Sequence, residues 1–277
     1  MSLNYSSFFD TAQSVNLCCP ICFSSFSLQY NSLVCRSGHV FDINRRGYIN
    51  FLRKPIKSIY NKSLFESRSR VQNAGLFNNI IDCIYSFLPS TCHTILDCGS
   101  GNGWFLSQLY SRYSGLFCAG IDISSEGIKL AAKENTSILW AIGDITTLPF
   151  KSNSFDVLLN VLSPANYSEF ARVLNPDGFL IKVYPATDYL AEIRTHQNMA
   201  RHSYQDVETL LQEKSITSSL KRITYKFGID EMLWQDLVYM TPLTYAISDE
   251  EKRKLSFDYS PYITIDVWVV QSRLLKT

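Results

Sequence analysis

No stretch of eighteen consecutive apolar residues occurs in the 277-residue chain, so no membrane-spanning helix is expected. The opening segment, MSLNYSSFFD, has neither a basic stretch nor an apolar core. A secretion signal is therefore not expected, and a cytoplasmic setting is. A Gly-Lys-Ser/Thr phosphate loop is missing, which excludes a Walker-type nucleotide site. Net charge is almost nil, at +1, and alone argues neither for nor against a polyanionic partner. Disulfides are not expected in a reducing compartment, so the eight cysteines read as thiols or metal ligands.

The charge that is present is unevenly spread. Residues 1–75 carry nine Lys/Arg against three Asp/Glu, and residues 76–277 carry 17 against 22. A basic front end on an acidic body points to a polyanion gripped mainly through the N-terminal portion. With 46% hydrophobic residues, the chain can bury a large α/β core and carry a small extra module.

The most informative stretch is TILDCGSGNGWF, residues 94–105. Ile95 and Leu96 read as the end of a buried parallel strand closed by Asp97. Gly99, Gly101 and Gly103 then form a turn feeding a helix near Trp104. Glycines there remove the Cβ atoms that would hold a ligand off the backbone, and the helix start exposes N–H groups. The spacing is G-x-G-x-G, not the G-x-G-x-x-G of dinucleotide folds. A second strand, Phe117–Ile121, ends in Asp122, placed to hold ribose hydroxyls. A third, Leu139–Ile142, ends in Gly143-Asp144, where an acid can face an adenine amino group. All three lie at carboxyl ends of successive strands, where open α/β sheets bind ligands.

Upstream, Cys19, Cys22, Cys35 and His39 are spaced C-x2-C-x12-C-x3-H. Two ligand-bearing turns of this kind close on one tetrahedral zinc ion, and four protein ligands make such a site structural. Cys18 is an alternative to Cys19, although Cys19 gives the usual gap to Cys22. A surface His39 would leave three cysteines and some other ligand. Residues 41–52, FDINRRGYINFL, read as a hairpin with Arg45 and Arg46 at its tip. Residues 53–62 form a basic linker, followed by a helix from Ser63 bearing Arg68. Cys83, Cys92, Cys98 and Cys118 lack ligand spacing and read as buried thiols. His196 and His202 read as surface residues in a polar helical stretch, residues 190–215. Residues 221–227 and 263–270 read as the last two strands.

LDCGSGNGWF, GIDIS and GDITTLPF followed by SFDVLLNV resemble the motifs of class I S-adenosylmethionine-dependent methyltransferases. With Cys-Pro-Ile-Cys, CRSGHVFDINRRGYINFL and YNKSLFESRSRVQNAGLF ahead of them, and SPANYSEFARVLNPDGFLIKVYPATDYL after, residues 17–270 resemble the 23S rRNA guanine-N1 methyltransferase family. The resemblance implies an α/β, Rossmann-like class I methyltransferase domain on a mostly parallel seven-stranded sheet, with a small N-terminal zinc-binding β module. The expected divisions are a tail (1–16), the zinc module (17–52), a basic linker and helix (53–75), and the methyltransferase domain (76–277).

It also implies the chemistry: methyl transfer from S-adenosylmethionine to N1 of a guanine in a 23S rRNA hairpin near the peptide exit tunnel, with zinc as the structural metal. Gly99, Gly101 and Asn102 are expected at the methionine end, Asp122 at the ribose and Asp144 near adenine. Phe77 and Tyr189 match family positions beside the cofactor. Asn160, Ser163 and Asn166 are expected to orient guanine. Arg45, Arg46, Lys54, Lys57, Lys62, Arg68 and Arg70 are expected to grip RNA phosphates. The family further suggests a homodimer and contains two sub-types, one associated with macrolide resistance; residues 61–68 do not decide between them. Two rival readings are a small-molecule methyltransferase with an accessory zinc module and a non-catalytic RNA-binding protein.

Overall fold

The computed structural model describes residues 4–54, 61–113, 115–195 and 205–276. Lys57, His196 and His202 fall outside these. The chain begins with a helix, α1 (Tyr5–Ser14), capped by Asn4, whose side-chain oxygen accepts from the Ser7 N–H. Of the two readings open for residues 1–16, a loose tail or a short docking helix, the helix is seen: Phe8 and Ala12 are buried in the same core as Cys19, Phe26 and Leu33.

Four short antiparallel strands follow: β1 (Phe26–Gln29), β2 (Ser32–Cys35), β3 (Val40–Asn44) and β4 (Tyr48–Asn50). The β3–β4 turn closes on Gly47 at φ +83°, a conformation that glycine adopts without a Cβ penalty. Next come α2 (Lys62–Asn73), α3 (Asn78–Phe87), β5 (Thr94–Cys98), α4 (Trp104–Arg112), β6 (Phe117–Asp122), α5 (Ser125–Glu134) and β7 (Leu139–Ile142). The second half is β8 (Phe155–Val161), α6 (Tyr167–Val173), β9 (Leu174–Pro185), α7 (Ala191–Thr195), α8 (Gln205–Lys214), β10 (Ser215–Gly228), α9 (Glu231–Met240), α10 (Asp249–Phe257) and β11 (Tyr262–Leu274).

Seven strands in the order β7-β6-β5-β8-β9-β11-β10 make the expected sheet, parallel except for the β11 pairings. The sheet does not stop there. β4 runs parallel to β7, with Tyr48 opposite Trp140 and Asn50 opposite Ile142, so the four N-terminal strands extend it to eleven. Without β4, the four-residue β7, buried along its whole length, would present a bare apolar edge. Pairing removes that liability. The Cys-bearing module is thereby joined to the sheet through backbone hydrogen bonds.

Apolar residues fill both faces of the sheet. Ile80, Ile81, Leu106 and Trp140 belong to one core, and Ile49, Phe150, Phe155 and Phe170 to the other. Asp156, near the start of β8, accepts from the backbone N–H groups of His93 and Thr94 and from the Thr94 hydroxyl at 2.9–3.0 Å. This fixes the register of β8 against β5 and hence the level at which their carboxyl ends meet. Among the described residues, no helix is long and apolar enough to cross a membrane.

Candidate active site and metal centre

The metal centre is built by two turns. Cys19 and Cys22 precede β1, Cys35 ends β2 and His39 precedes β3. One ligand atom from each lies within 4.8 Å of the others. The His39 Nδ1 is 3.5 Å from the Cys19 sulfur and 3.3 Å from that of Cys35, and the Cys22 and Cys35 sulfurs are 3.5 Å apart. A tetrahedron with zinc bonds of about 2.1–2.3 Å has edges of roughly 3.4–3.8 Å, so this donor set fits one zinc ion. The His39 backbone N–H also donates to the Cys35 sulfur at 3.3 Å. Cys18 is buried beside Cys19 but is not among the residues whose ligand atoms converge. It does not replace Cys19.

The second site lies at the carboxyl ends of β5, β6 and β8. Gly99, Gly101 and Gly103 sit at φ +82°, +56° and +71°, where a side chain strains the backbone. The Gly99 and Ser100 N–H groups donate to the Ile121 carbonyl at 2.8 and 3.1 Å, tying the turn to β6. Gly101 N–H donates to one Asp122 oxygen at 2.8 Å, and Ser124 N–H to the other at 2.7 Å. Each oxygen keeps a further lone pair, enough for two ribose hydroxyls. Burial raises the Asp122 carboxyl above its usual range, against the two N–H donors and the nearby Arg68 charge.

Two polar atoms in this turn are buried with no partner, Asp97 Oδ1 and Ser100 Oγ. Native proteins rarely leave such atoms unpaired unless a ligand or water completes them. Burial, reinforced by the Asp122 charge, pushes the Asp97 carboxyl up to about 8. A cationic ammonium placed there would restore its ionised form. Glycine cradle, ribose acid and orphaned carboxyl suit S-adenosylmethionine, which carries a ribose and an amino-acid ammonium. Asp97 was read from sequence only as the end of a strand; the acid two residues before the first glycine was the available signal.

Of the three residues expected to orient guanine, one faces this crevice freely. Asn160 is fully buried. Its amide donates to the Cys98 and Pro164 carbonyls at 2.8 and 2.9 Å, and its oxygen accepts from Lys182 at 2.5 Å. Asn166 caps α6 by accepting from Glu169 N–H at 3.1 Å. Ser163 differs: a Cβ built on Gly99 would lie 1.9 Å from its hydroxyl oxygen, so this hydroxyl hangs directly over the glycine turn. Leu162, just before it, sits at φ +50°, backbone strain of the kind that collects at functional sites.

Lys182, unanticipated, underlies this segment. It is 3% exposed and also donates to the Ser163 carbonyl at 3.2 Å. Burial pulls its ammonium down to about 8. A lysine interrupting the apolar run FLIKVY was the signal for it.

The remaining expected residues scatter. Asn102 spends its amide on α2, donating to Ser69 and Gln72 at 3.0 and 2.8 Å, so its side chain fastens that helix. Asp144 is half-buried and accepts from Thr146 N–H at 2.8 Å. Phe77 is buried with its ring 5.8 Å from that of Phe105, and Tyr189 lies in the same core.

The basic residues do not form one surface. Arg45 and Arg46 are exposed. Because they precede β4, which runs parallel to β7, they stand at the amino ends of the parallel strands, opposite the glycine turn. With Lys62, Lys129 and Lys133 they line a groove of about 1140 Å³, in which Lys62 and Lys129 already pair with Glu66 and Glu126. Lys54, after β4, is exposed at the carboxyl end. Arg70 makes a two-pronged pair with Asp236 on α9, at 2.6 and 2.7 Å. Arg68 turns toward the glycine turn. Phe65, Arg68, Ser69 and Gln72 follow i, i+3, i+4, i+7 spacing, one stripe of α2, and that stripe faces the cofactor turn.

Comparison with known proteins agrees with this geometry. Residues 17–58 match the zinc-ribbon family described as "RlmA, N-terminal", and residues 95–178 match the family described as "Methyltransferase domain". YxjB of Bacillus subtilis, provisionally named a 23S rRNA (guanine-N1)-methyltransferase, is 38% identical over 264 residues, spanning 90% of this chain and 94% of its own. The 23S rRNA (guanine(748)-N1)-methyltransferase of Streptomyces fradiae is 28% identical over 182 residues, 63% of this chain and 65% of its own. Among solved structures, the YcgJ protein of B. subtilis superposes with a TM-score of 0.51 at 15% identity, covering 72% of this chain and 99% of its own; it speaks for the fold alone. A methyltransferase sheet, a Cys3His zinc ribbon fused to its edge and a full-length relative together assign the chain to the 23S rRNA (guanine-N1)-methyltransferase family.

Proposed function

We propose that this protein methylates N1 of a guanine in 23S rRNA, using S-adenosylmethionine, in the cytoplasm. The observation that carries the reading is the crevice itself: three positive-φ glycines, Asp122 with lone pairs to spare, and the orphaned Asp97 oxygen, on a chain that also builds a zinc ribbon. The sulfonium of S-adenosylmethionine supplies an already activated methyl group, so the protein's task is alignment.

In this reading Asp122 holds the ribose through charge-assisted hydrogen bonds, each worth about 1.5–3 kcal/mol. Asp97 holds the ammonium. The Ser163 hydroxyl, over Gly99, meets the edge of the guanine. Asn160 and Lys182 act from below, pinning Ser163 and Pro164 to β5 and β9. N1 lies on the pairing edge of guanine, so the base must be unpaired or extruded to be reached. Loops are where RNA bases are most accessible, which agrees with the hairpin near the exit tunnel that the family resemblance implies. The zinc ribbon and the exposed Lys54, Arg45 and Arg46 would contact the phosphate backbone, and a second copy of the chain, as the family suggests, would widen that contact.

Incubation with methyl-labelled S-adenosylmethionine and total ribosomal RNA from a strain lacking the enzyme tests the proposal. Label is expected in 23S rRNA and absent from 16S rRNA. Incorporation into neither, with a small-molecule fraction labelled instead, would overturn it.

A further inference from the structure

Arg68 was expected on the RNA surface, yet it lies among the inward-facing residues of α2. Its guanidinium stacks on the face of Phe65, 5.1 Å from the ring centroid. Its Nη1 is 3.3 Å from where a Cβ on Gly101 would be, and the Phe65 ring edge is 3.5 Å from the same point. It makes no ion pair with any described residue, although its charge acts on Asp122. A cation is thus held over the turn that Asp122 shares, near that carboxylate but without an ion pair to any described residue.

S-adenosylmethionine has a cationic sulfonium, a cationic ammonium, neutral adenine and ribose, and one anion, the carboxylate of its amino-acid end. A guanidinium over the turn repels the first two and pairs with the last. Its planar fork matches a carboxylate in two parallel hydrogen bonds. We infer that Arg68 is the anchor of the cofactor's carboxylate, and that α2 is a clamp placed for it. The clamp is held on both sides. Asn102 grips Ser69 and Gln72 from the glycine turn, and Asp236 grips Arg70 from α9. Arg68 and Asp97 then read the two opposite charges of one zwitterion. Ligands lacking that end, or lacking its carboxylate, are discriminated against. The inference rests on the cofactor reading given above and adds to it the group that recognises the carboxylate.

The test compares two ligands by calorimetry on the full-length, zinc-loaded protein. S-adenosylhomocysteine keeps the amino-acid end; 5′-methylthioadenosine lacks it and keeps adenine and ribose. For Arg68→Met, whose unbranched side chain still covers Phe65, S-adenosylhomocysteine affinity should fall about 10- to 100-fold, the loss of one charge-assisted pair. Methylthioadenosine affinity should stay within twofold. Arg68→Lys should recover part of the loss, because it restores the charge without the fork. Equal losses for both ligands would show a packing role and overturn the inference. Unchanged binding of both, with weaker binding of 23S rRNA, would return Arg68 to the RNA surface and overturn it too. Failure of the unaltered protein to bind either ligand would instead overturn the cofactor reading on which the inference stands.

Discussion

Three glycine-to-alanine substitutions separate backbone strain from steric collision, because the structure divides these costs among them. Gly101 has φ +56°, and an added Cβ there would meet only the mobile end of Arg68 at 3.3 Å and Phe65 at 3.5 Å. Its cost is the left-handed backbone, about 1–2 kcal/mol. Gly120 has no positive φ, but its Cβ would come within 2.2 Å of the Trp140 ring. Trp140 is fully buried and donates its indole N–H to the Asn135 carbonyl at 2.7 Å, so it cannot swing aside freely. Overpacking of this kind costs about 1–3 kcal/mol. Gly103 bears both burdens: φ +71° and a Cβ 2.3 Å from Trp140 and 2.9 Å from the Ala131 Cβ. Gly103→Ala should therefore lose roughly 2–5 kcal/mol, the combined strain and overpacking costs.

Urea denaturation followed by circular dichroism reads these as shifts of midpoint at constant slope. The expected order of damage is Gly101→Ala least, Gly103→Ala most. Gly101→Ala should lose cofactor affinity out of proportion to its stability, because its methyl group enters the cradle. A Gly103→Ala protein as stable as Gly101→Ala would refute the packing of Trp140 beneath the turn, and with it the reason this turn needs a third glycine.

Three further outcomes follow from other parts of the molecule. Freshly purified reduced protein should hold one zinc per chain by metal analysis; Cys35→Ser or strong chelation should melt the N-terminal strands, because so small a layer relies on its metal, and full stability without zinc would contradict this. Asp97 carries a proton in the free protein below about pH 8, and pairing with a ligand ammonium expels it. S-adenosylhomocysteine affinity should therefore rise up to tenfold per pH unit toward pH 8, with proton release seen by calorimetry in buffers of different ionisation heat; Asp97→Asn should flatten that dependence. Lys182 has a folded value near 8 against 10.5, so the unfolded chain binds its proton more tightly. Its burial therefore costs stability below pH 8, on the order of 3 kcal/mol, and the cost disappears as pH rises to 10.5. Denaturation at pH 7.5 and 10 should show a rise in the unaltered protein, relative to Lys182→Met, that would be missing if Lys182 were solvent-exposed.

Features fixed by neighbours along the chain were legible in the sequence. The zinc ligands lie in two short turns and converge as their spacing leads one to expect, and the glycine turn meets Asp122 at the ends of successive strands, because few other folds need those residues at that spacing. What depends on tertiary placement did not read. Residues 41–52 place Arg45 and Arg46 at a hairpin tip but do not say at which end of the sheet that tip lies; β4 joins β7 in parallel and sends it to the amino ends of the strands. Arg68 and Arg70 were counted together as surface charge, although two residues along a helix turn by about 200° and these two have different partners. Nothing along its own strand tells that Asn160 is taken up by Lys182, which arrives from β9. In each case charge or polarity was visible, and the side chain's destination was not.

The central claim is tested most directly by nucleoside mass spectrometry of 23S rRNA from a strain lacking this protein, after incubation with it and S-adenosylmethionine. The account predicts that 1-methylguanosine appears at up to one residue per 23S molecule, and that Asp122→Ala protein forms almost none. Methyl groups on another base or another position of guanine, or an undiminished yield from Asp122→Ala, would contradict it.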